Sequence, residues 1–249
     1  MIPYWMSRSQ LLLGDEKLTA IMNKHVLVVG LGGVGGICAE MIARSGVGKM
    51  TIVDADTVDL SNCNRQIPAT HSAEGKLKAE VMAARIKDIN PDIDLTVIPK
   101  YVKDEFLLEL LDAAPYDYAV DCIDTLGPKV FFIKGCKDRN IPIVSSMGAG
   151  GRVDPSFVKI ADISKTKDCT LAKYVRKRLR GIGIKKGLPC VYSTEPIDET
   201  KVIVSEKAFP KKSIIGTISY MPAIFGCTVA SVVIRDLMKT AETPTIATA

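Results

Sequence analysis

The sequence predicts an α/β protein with a doubly wound, mostly parallel sheet. Two observations predict this fold. Short apolar segments alternate along the chain with segments of helical periodicity, and a glycine-rich turn directly follows the first apolar segment. Such alternation is typical of a parallel sheet covered by helices, and ligands of these sheets bind beyond the carboxyl ends of the strands.

The first strand and turn form a fingerprint of nucleotide-binding folds. Residues 26–29 are apolar and predict a buried strand. The turn after it places Gly30, Gly32 and Gly35 at the three glycine positions of the fingerprint. This pattern predicts a Rossmann-like half that holds a polyphosphate against backbone N–H groups. The alternative is a turn that only packs a helix tightly.

The next two elements complete the nucleotide-binding unit. Residues 37–45 have helical spacing and precede Gly46, so the positive end of the helix dipole faces the turn. The second strand, 50–53, leads into Asp54. A carboxylate at this position binds a ribose hydroxyl in folds of this kind.

The middle of the chain continues the alternation. Six further segments are predicted as helix, strand, helix, strand, helix and strand, at 76–89, 95–98, 103–111, 118–120, 128–139 and 143–145. Near the C-terminus, the uncharged segment 213–234 is about long enough to span a bilayer. Pro222 and the glycines favour a strand up to residue 220, then a core or dimer-interface helix at 222–237, with no stable membrane span.

Length and composition indicate an ordinary globular protein. The chain has 249 residues, of which 47% are hydrophobic and 24% charged. We expect a single domain: an arm at 1–24, a nucleotide-binding core at 25–151, and a substrate-binding and C-terminal part at 152–249. The seven cysteines form no C-x-x-C pair and only two histidines are present, which disfavours structural zinc. Unpaired cysteines and the absence of a signal-like N-terminus predict a cytoplasmic protein.

Polar residues after the second strand predict fixed positive charge near a phosphate chain. Arg65 and Lys78 of this region fit that role. A triphosphate under nucleophilic attack needs such cations to stabilise its growing negative charge. Taken singly, Arg65 could instead form a loop salt bridge and Lys78 could be solvated.

The fourth strand supplies the expected metal ligand. It ends near Asp121, and Asp124 lies just beyond its end. Magnesium takes one or two carboxylates together with waters and phosphate oxygens, so Asp124 is a candidate Mg²⁺ ligand. Its alternative role is to cap the helix that follows.

Taken in order, these motifs resemble those of the ubiquitin-activating-enzyme-like adenylyltransferases, which include the sulfur-carrier-activating enzymes of thiamine and molybdopterin synthesis. The order is G-x-G-G-x-G-G, an aspartate, N-x-x-R-Q, G-x-x-K and D-x-x-D. Further runs resemble the tRNA threonylcarbamoyladenosine dehydratase branch of this superfamily, at 64–67, 78–82, 89–91, 148–151 and 192–195.

The resemblance implies activation of a carboxylate as an acyl-adenylate, with ATP and Mg²⁺ as cofactors. It implies catalytic roles for Arg8, Arg65, Lys78 and Asp124, with Arg8 reaching the site from the partner subunit of a homodimer. The ATP-binding residues are predicted to be Gly30, Gly32, Gly33, Gly35, Asp54, Asp56, Asn62, Arg65, Gln66, Lys78 and Asp121. Without the resemblance, Arg8 is a frayed terminal charge.

For the dehydratase branch, the implied substrate is threonylcarbamoyladenosine in tRNA, cyclised after adenylation of its threonyl carboxylate. Two alternatives stay open: activation of the C-terminal glycine of a ubiquitin-like sulfur carrier, and a nucleotide-binding redox or regulatory module. The carrier-activating enzymes commonly carry paired C-x-x-C motifs and a cysteine before the C-terminal helix, which this sequence lacks. Cys169 and Cys190 remain candidate thiols, although buried structural cysteine is the commoner role. A sulfur-transfer protein is a further candidate partner.

A basic helix is the candidate tRNA-binding element. Its expected apolar face is Leu171, Tyr174, Val175 and Leu179. Its basic residues recur at helical spacing, at Lys173, Arg176, Lys177 and Arg180. Such a stripe suits a phosphate backbone. A solvated helix face and an acidic protein partner are the alternatives.

Overall fold

The computed structural model describes residues 1–102, 104–198, 200, 202–204 and 213–239. Its main sheet consists of β1 (His25–Val29), β2 (Lys49–Val53), β3 (Asp94–Ile98), β4 (Tyr118–Asp121), β5 (Ile143–Ser146), β6 (Val158–Asp162) and β7 (Pro189–Ser193). The strand order is β3-β2-β1-β4-β5-β7-β6. All neighbours are parallel except β6 and β7, which are antiparallel.

Helices cover both faces of this sheet. They are α1 (Ser7–Met22), α2 (Gly35–Arg44), α3 (Lys78–Ile89), α4 (Asp104–Asp112), α5 (Leu126–Asp138), α6 (Thr170–Gly181) and α7 (Tyr220–Lys239). Alternate residues of β1 enter different cores: Val26 and Val28 pack with α2, α3 and α7, whereas Leu27 and Val29 pack with α4, α5 and α6. A separate antiparallel pair joins β8 (Val202–Val204) and β9 (Ser213–Ile215).

The predicted doubly wound α/β fold is confirmed. The five strands predicted between residues 26 and 145 each fall within one residue of an observed boundary. Strands β1, β4 and β5 are buried along their whole length, as continuous apolar runs predict, whereas the edge strand β3 is only partly buried. The helix predicted at 37–45 starts earlier, at Gly35, directly on the glycine turn.

The N-terminal helix and the pairing of β6 with β7 are among the parts of the fold that were not predicted. The arm at 1–24 contains α1, whose helical pattern is interrupted at Gly14, where φ is +78° and ψ is 165°. The antiparallel pair β6 and β7 was also missed. Their pairing joins segments separated by the whole of α6, and local sequence carries no signal for such a distant register.

The C-terminal prediction needs correction. The strand predicted up to residue 220 ends at Ile215, and α7 begins at Tyr220, so Pro222 is its third residue and not its first. The Tyr220 hydroxyl donates to the carbonyl oxygen of Val153 at 2.8 Å, which helps to fix this helix start. Proline is tolerated there because N–H groups in the first turn have no intrahelical partner.

Helix α7 is the one helix within the described residues that is long and apolar enough to cross a membrane. Its packing is that of a core helix. A Cβ atom built on Gly226 would lie only 2.5 Å from the carbonyl oxygen of Val34 and 3.0 Å from Ile37 Cβ. Gly226 therefore lets α7 approach α2 closely, and Phe225 and Val229 are fully buried.

Candidate active site

The glycine-rich turn lies between β1 and β4, where the strand order reverses. Gly30 has φ of +88°, and a Cβ atom there would lie 2.8 Å from the carbonyl oxygen of Cys122. A Cβ atom on Gly35 would lie 1.7 Å from the carbonyl oxygen of Gly30. A side chain at either position would displace backbone, so glycine is required for the turn to close against the end of β4.

Asp54 ties this turn to the end of β2. Its carboxylate accepts hydrogen bonds from the N–H groups of Leu31, at 2.6 Å, and Asp56, at 2.8 Å. Burial raises the pKa of Asp54, and the two backbone hydrogen bonds oppose that shift. The carboxylate therefore orders the turn and lies where the fold places a ribose hydroxyl.

Gln66 covers the middle of the turn. A Cβ atom built on Gly32 would lie 3.8 Å from Gln66 Nε2 and 3.9 Å from Gln66 Oε1. The Oε1 atom is buried and has no hydrogen-bond partner within the described residues. Buried polar atoms are nearly always paired, so this oxygen supports a ligand contact at the turn.

The loop before Gln66 orients Arg65. The carbonyl oxygen of Asn62 accepts from the N–H groups of Arg65, at 3.0 Å, and Gln66, at 2.9 Å. The Arg65 guanidinium donates to the carbonyl oxygen of Ser61 and to Asn64 Oδ1, both at 2.8 Å. These bonds use one guanidinium nitrogen, Nη1, and the group carries five N–H donors in all.

Lys78 begins α3 and is 5% exposed. Its ammonium nitrogen lies 3.0 Å from Asp56 Oδ2, and the Tyr101 hydroxyl donates to Asp56 Oδ1 at 3.2 Å. The alternative of a solvated lysine is therefore wrong. The N–H of Asp56 donates to the carboxylate of Asp54. Asp56 therefore holds the Lys78 ammonium group close to Asp54 and the glycine turn.

An open groove of about 770 Å³ adjoins this end of the site. Ala55, Tyr101 and Phe106 line it, and the Lys100 ammonium lies 5.4 Å from the centroid of the Phe106 ring. Sequence reasoning missed this surface. The pair of aromatic residues shortly after β3 was the available signal.

Asp124 is exposed beyond the end of β4, two residues after Cys122. The N-cap of α5 is Thr125, so Asp124 does not occupy the capping position that was its alternative role. This placement leaves Asp124 at the carboxyl edge of the sheet, beside the strand end that contacts Gly30.

The structure corrects the prediction for Asp121. This carboxylate is fully buried, 2.8 Å from the ammonium nitrogen of Lys129, which is also fully buried. It also accepts from the Ser145 hydroxyl, at 2.6 Å, and from the N–H of Ile123, at 3.1 Å. Burial raises the pKa of Asp121, and Lys129 opposes the shift. Asp121 therefore braces the turn that carries Asp124 and does not line the nucleotide site.

The segment before α7 reaches the same edge of the sheet, which the sequence did not indicate. The Asn64 side-chain amide donates to the carbonyl oxygen of Thr217 at 2.9 Å. A Cβ atom on Gly33 would lie 2.9 Å from Pro222 Cβ and 3.0 Å from the carbonyl oxygen of Arg65. The start of α7 therefore closes one side of the glycine turn.

Arg8 is exposed in the first turn of α1. It belongs to a formed helix, so a frayed terminus does not describe it. The described chain alone does not place Arg8 among the groups around the turn, and its predicted role depends on a second subunit.

Helix α6 is basic, but its faces differ from the prediction. Tyr174 is 51% exposed and does not belong to the buried face. Arg176 is half-buried, and its guanidinium donates to the carbonyl oxygen of Thr166 at 2.8 Å, so it braces the start of the helix. The exposed basic residues that remain from the predicted stripe are Lys173, Lys177 and Arg180.

The cysteines fit structural roles. Cys169 and Cys190 are buried, and burial raises the pKa of the Cys190 thiol, which disfavours the nucleophilic thiolate. Over the described ranges, no three His, Cys, Asp or Glu side chains are grouped to hold a metal ion by themselves.

The profile of the ThiF family matches residues 6–248. The chain belongs to the ThiF family. The superfamily membership that the motifs predicted is thereby confirmed.

Among members of this family, the chain is similar to the tRNA threonylcarbamoyladenosine dehydratase of Bacillus subtilis (strain 168), with 40% identity over 243 residues and 95% of each chain covered. It is also similar to the crystal structure of the Escherichia coli tRNA N6-threonylcarbamoyladenosine dehydratase in complex with ATP. That structure has a TM-score of 0.84 and 34% identity, covering 95% of this chain and 94% of the other.

A third ThiF-family relative has a different activity. The sulfur carrier protein ThiS adenylyltransferase of Escherichia coli is 34% identical over 149 residues, which cover 58% of this chain and 59% of that relative. The likeness to the dehydratases therefore extends over nearly the whole chain, whereas the likeness to this adenylyltransferase covers little more than half.

Proposed function

We propose that the protein catalyses the ATP-dependent cyclisation of N6-threonylcarbamoyladenosine in tRNA through adenylation of the threonyl carboxylate. The observation that carries this proposal is the extent of similarity: 95% of the chain aligns with a dehydratase, but 58% with the sulfur-carrier adenylyltransferase. The ATP-bound Escherichia coli relative supports ATP as the nucleotide. No relative reported above supports a redox or regulatory module.

Different residues of the site bind different parts of the nucleotide. The backbone N–H groups of the glycine turn and the start of α2 bind phosphates, and Asp54 binds the ribose. The groove beside Tyr101 and Phe106 accepts the adenine. Asn62, Arg65, Gln66 and Lys78 contact the triphosphate, with the unpaired Gln66 Oε1 facing a ligand atom or a bound water.

Magnesium fits the donors at this edge of the sheet. Asp124 offers one exposed carboxylate at the strand end, and Mg²⁺ characteristically combines one or two protein carboxylates with waters and phosphate oxygens. When bound, the ion would offset negative charge on the phosphates. The end of β4, just before Asp124, is held in place by hydrogen bonds from Lys129 and Ser145 to Asp121. These bonds therefore fix the position from which Asp124 extends.

The reaction proceeds in two displacements. A threonyl carboxylate oxygen attacks the α-phosphorus of ATP, and pyrophosphate leaves. A nitrogen of the same substituent then attacks the activated carbonyl carbon, loses its proton, and expels AMP with the former carboxylate oxygen. Arg65 and Lys78 stabilise charge on the departing phosphates. Ring closure is intramolecular and needs no thiol, which agrees with the buried cysteines.

Exposed surfaces support the partners included in this proposal. Lys173, Lys177 and Arg180 bind the tRNA backbone. A homodimer brings Arg8 of the partner subunit to the phosphates. Leu11 and Leu12 of α1 are each 82% exposed, which supports a subunit interface at this helix. The proposal also includes a sulfur-transfer protein as a further partner. It further includes a cytoplasmic location and a single adenylating domain.

Release of AMP and pyrophosphate tests the proposal. Purified protein with ATP should release both only with tRNA that carries threonylcarbamoyladenosine, and mass spectrometry of digested tRNA should show the loss of one water from the nucleoside. Unmodified tRNA and a ubiquitin-like sulfur carrier are the controls. Pyrophosphate exchange with the carrier and none with the modified tRNA would support carrier activation instead.

A further inference from the structure

A groove of about 340 Å³ lies between α5 and α6. Val130, Phe131 and Ile182 contribute apolar surface, and Lys134 and Arg178 also line it. Phe131 is 36% exposed and Ile182 is 44% exposed, so part of this apolar surface faces solvent. The reaction proposed above uses none of these side chains.

The groove begins close to the proposed active site. Leu126, the first residue of α5, lines it and follows Asp124 by two residues. Lys134 lies eight residues further along α5, which corresponds to about 12 Å at the helical rise. A ligand in the groove would therefore lie near the carboxylate at the strand end, along α5.

The charge around the groove is mainly positive. Arg178 lies on α6 one turn after the exposed Tyr174, and Ile182 is the C-cap residue that directly follows this helix. Asp138 pairs with Lys134 and is itself half-exposed. The exposed Lys173, Lys177 and Arg180 lie further around α6 from Arg178, outside the groove. Aromatic surface within a basic surround is typical of single-stranded nucleic-acid sites.

The chemistry of the proposed substrate explains why an unpaired base would be available. A threonylcarbamoyl group on N6 occupies the pairing edge of the adenine, so the modified nucleoside lies in an unpaired stretch of RNA. Its neighbours in that stretch are free to stack on protein side chains. The groove volume lies near the lower end of small-ligand sites, which span about 300–1,000 Å³, and fits one planar base.

We propose that this groove holds a nucleobase neighbouring the modified adenosine, stacked on Phe131, with an adjacent phosphate bound by Arg178. The inference rests on the proposed tRNA substrate and names a contact that positions it. An acidic protein segment is the competing occupant, but it would not require an aromatic ring at residue 131.

The test uses an RNA hairpin whose loop carries 2-aminopurine on either side of the target adenosine. Binding to the protein should quench this fluorophore through stacking. Phe131→Leu keeps apolar volume without the ring and should weaken RNA binding about tenfold with loss of quenching, whereas Phe131→Tyr should retain both. Arg178→Ala should lower the slope of log affinity against log salt by about 0.7.

Leu108→Ala is the matched control, because Leu108 is an apolar residue of α4 with a similar exposure of 37%. It should leave RNA binding unchanged, and all variants should keep the wild-type unfolding temperature and ATP affinity. Wild-type quenching and affinity in Phe131→Leu would overturn the inference. Absence of AMP release by the wild-type protein with modified tRNA would instead count against the proposed function.

Discussion

The glycine turn and the outward face of α6 are both proposed to bind phosphates, but they are built differently. In the turn, backbone atoms contact one another so closely that a Cβ on Gly35 would overlap the carbonyl oxygen of Gly30 at 1.7 Å. On α6, Lys173, Lys177 and Arg180 project from the exposed face of a helix. A reacting triphosphate needs one fixed geometry, whereas a polymer of phosphates tolerates movable cations.

The largest effect is expected at Gly35. Gly35→Ala would force the backbone of Gly30 to move, with a cost of about 3 kcal/mol or more in the free energy of unfolding. ATP binding should be lost with the turn. Chemical denaturation and calorimetric ATP titration measure the two effects.

Gly32→Ala is the matched control for this turn, because a Cβ at that position meets nothing nearer than the Gln66 side chain at 3.8 Å. It should leave stability unchanged while weakening ATP binding about tenfold, since the phosphates approach the backbone there. Equal stability of the two variants would contradict the close contact inferred at Gly35.

Asp124→Ala should abolish most catalysis without unfolding the protein, because this carboxylate is exposed and contributes little to the core. We expect turnover to fall at least about 100-fold through loss of the bound Mg²⁺. AMP release across a magnesium series measures the change. Asp92→Ala, an exposed carboxylate before β3, should behave as wild type. Near-normal turnover in Asp124→Ala would remove this residue from the site.

Variants of Arg8 test whether this exposed residue completes the active site of the partner subunit. Arg8→Ala and Lys78→Ala homodimers should each be weakly active. A mixed dimer, purified through two different tags, contains one site with both residues intact and should recover about half the wild-type turnover per dimer. Mixed dimers no more active than their parents would argue against a shared site.

The smallest effect on chemistry is expected from α6. Reversing Lys173, Lys177 and Arg180 to Glu leaves the buried Val175 and Leu179 in place, so the helix should still pack. The affinity for tRNA should fall, and its salt slope should decrease by about 0.7–0.9 per lost phosphate contact. Filter binding across a salt series measures both, and ATP affinity should not change.

Arg176→Glu is the contrasting variant for this helix. Its guanidinium contacts Thr166, so the substitution should lower the unfolding temperature. An unchanged tRNA affinity and slope in the triple variant would indicate that this face of α6 is only solvated.

Local sequence patterns were sufficient where one short segment carries the structural information. The run at 26–29 predicted β1 because a buried parallel strand must be apolar on both faces. The spacing of Gly30, Gly32 and Gly35 predicted the turn because the local backbone geometry requires a glycine at each of these positions. Local patterns did not predict the exposure of Tyr174. Its position on α6 suited the buried face, but the packing of α5 against α6 determines how far that face extends.

The sequence by itself determined the strand and helix alternation, the glycine turn, and the order of polar residues at the strand ends, because these depend on periodicity and backbone sterics within a few residues. Only the tertiary structure decided the pairing of β6 with β7, the burial of Asp121 against Lys129, and the closure of the turn by Pro222. The first and third of these contacts join segments far apart in the chain, and the second joins β4 to the helix that follows it. Their geometry is set by how packed layers fit together and not by the composition of any one segment.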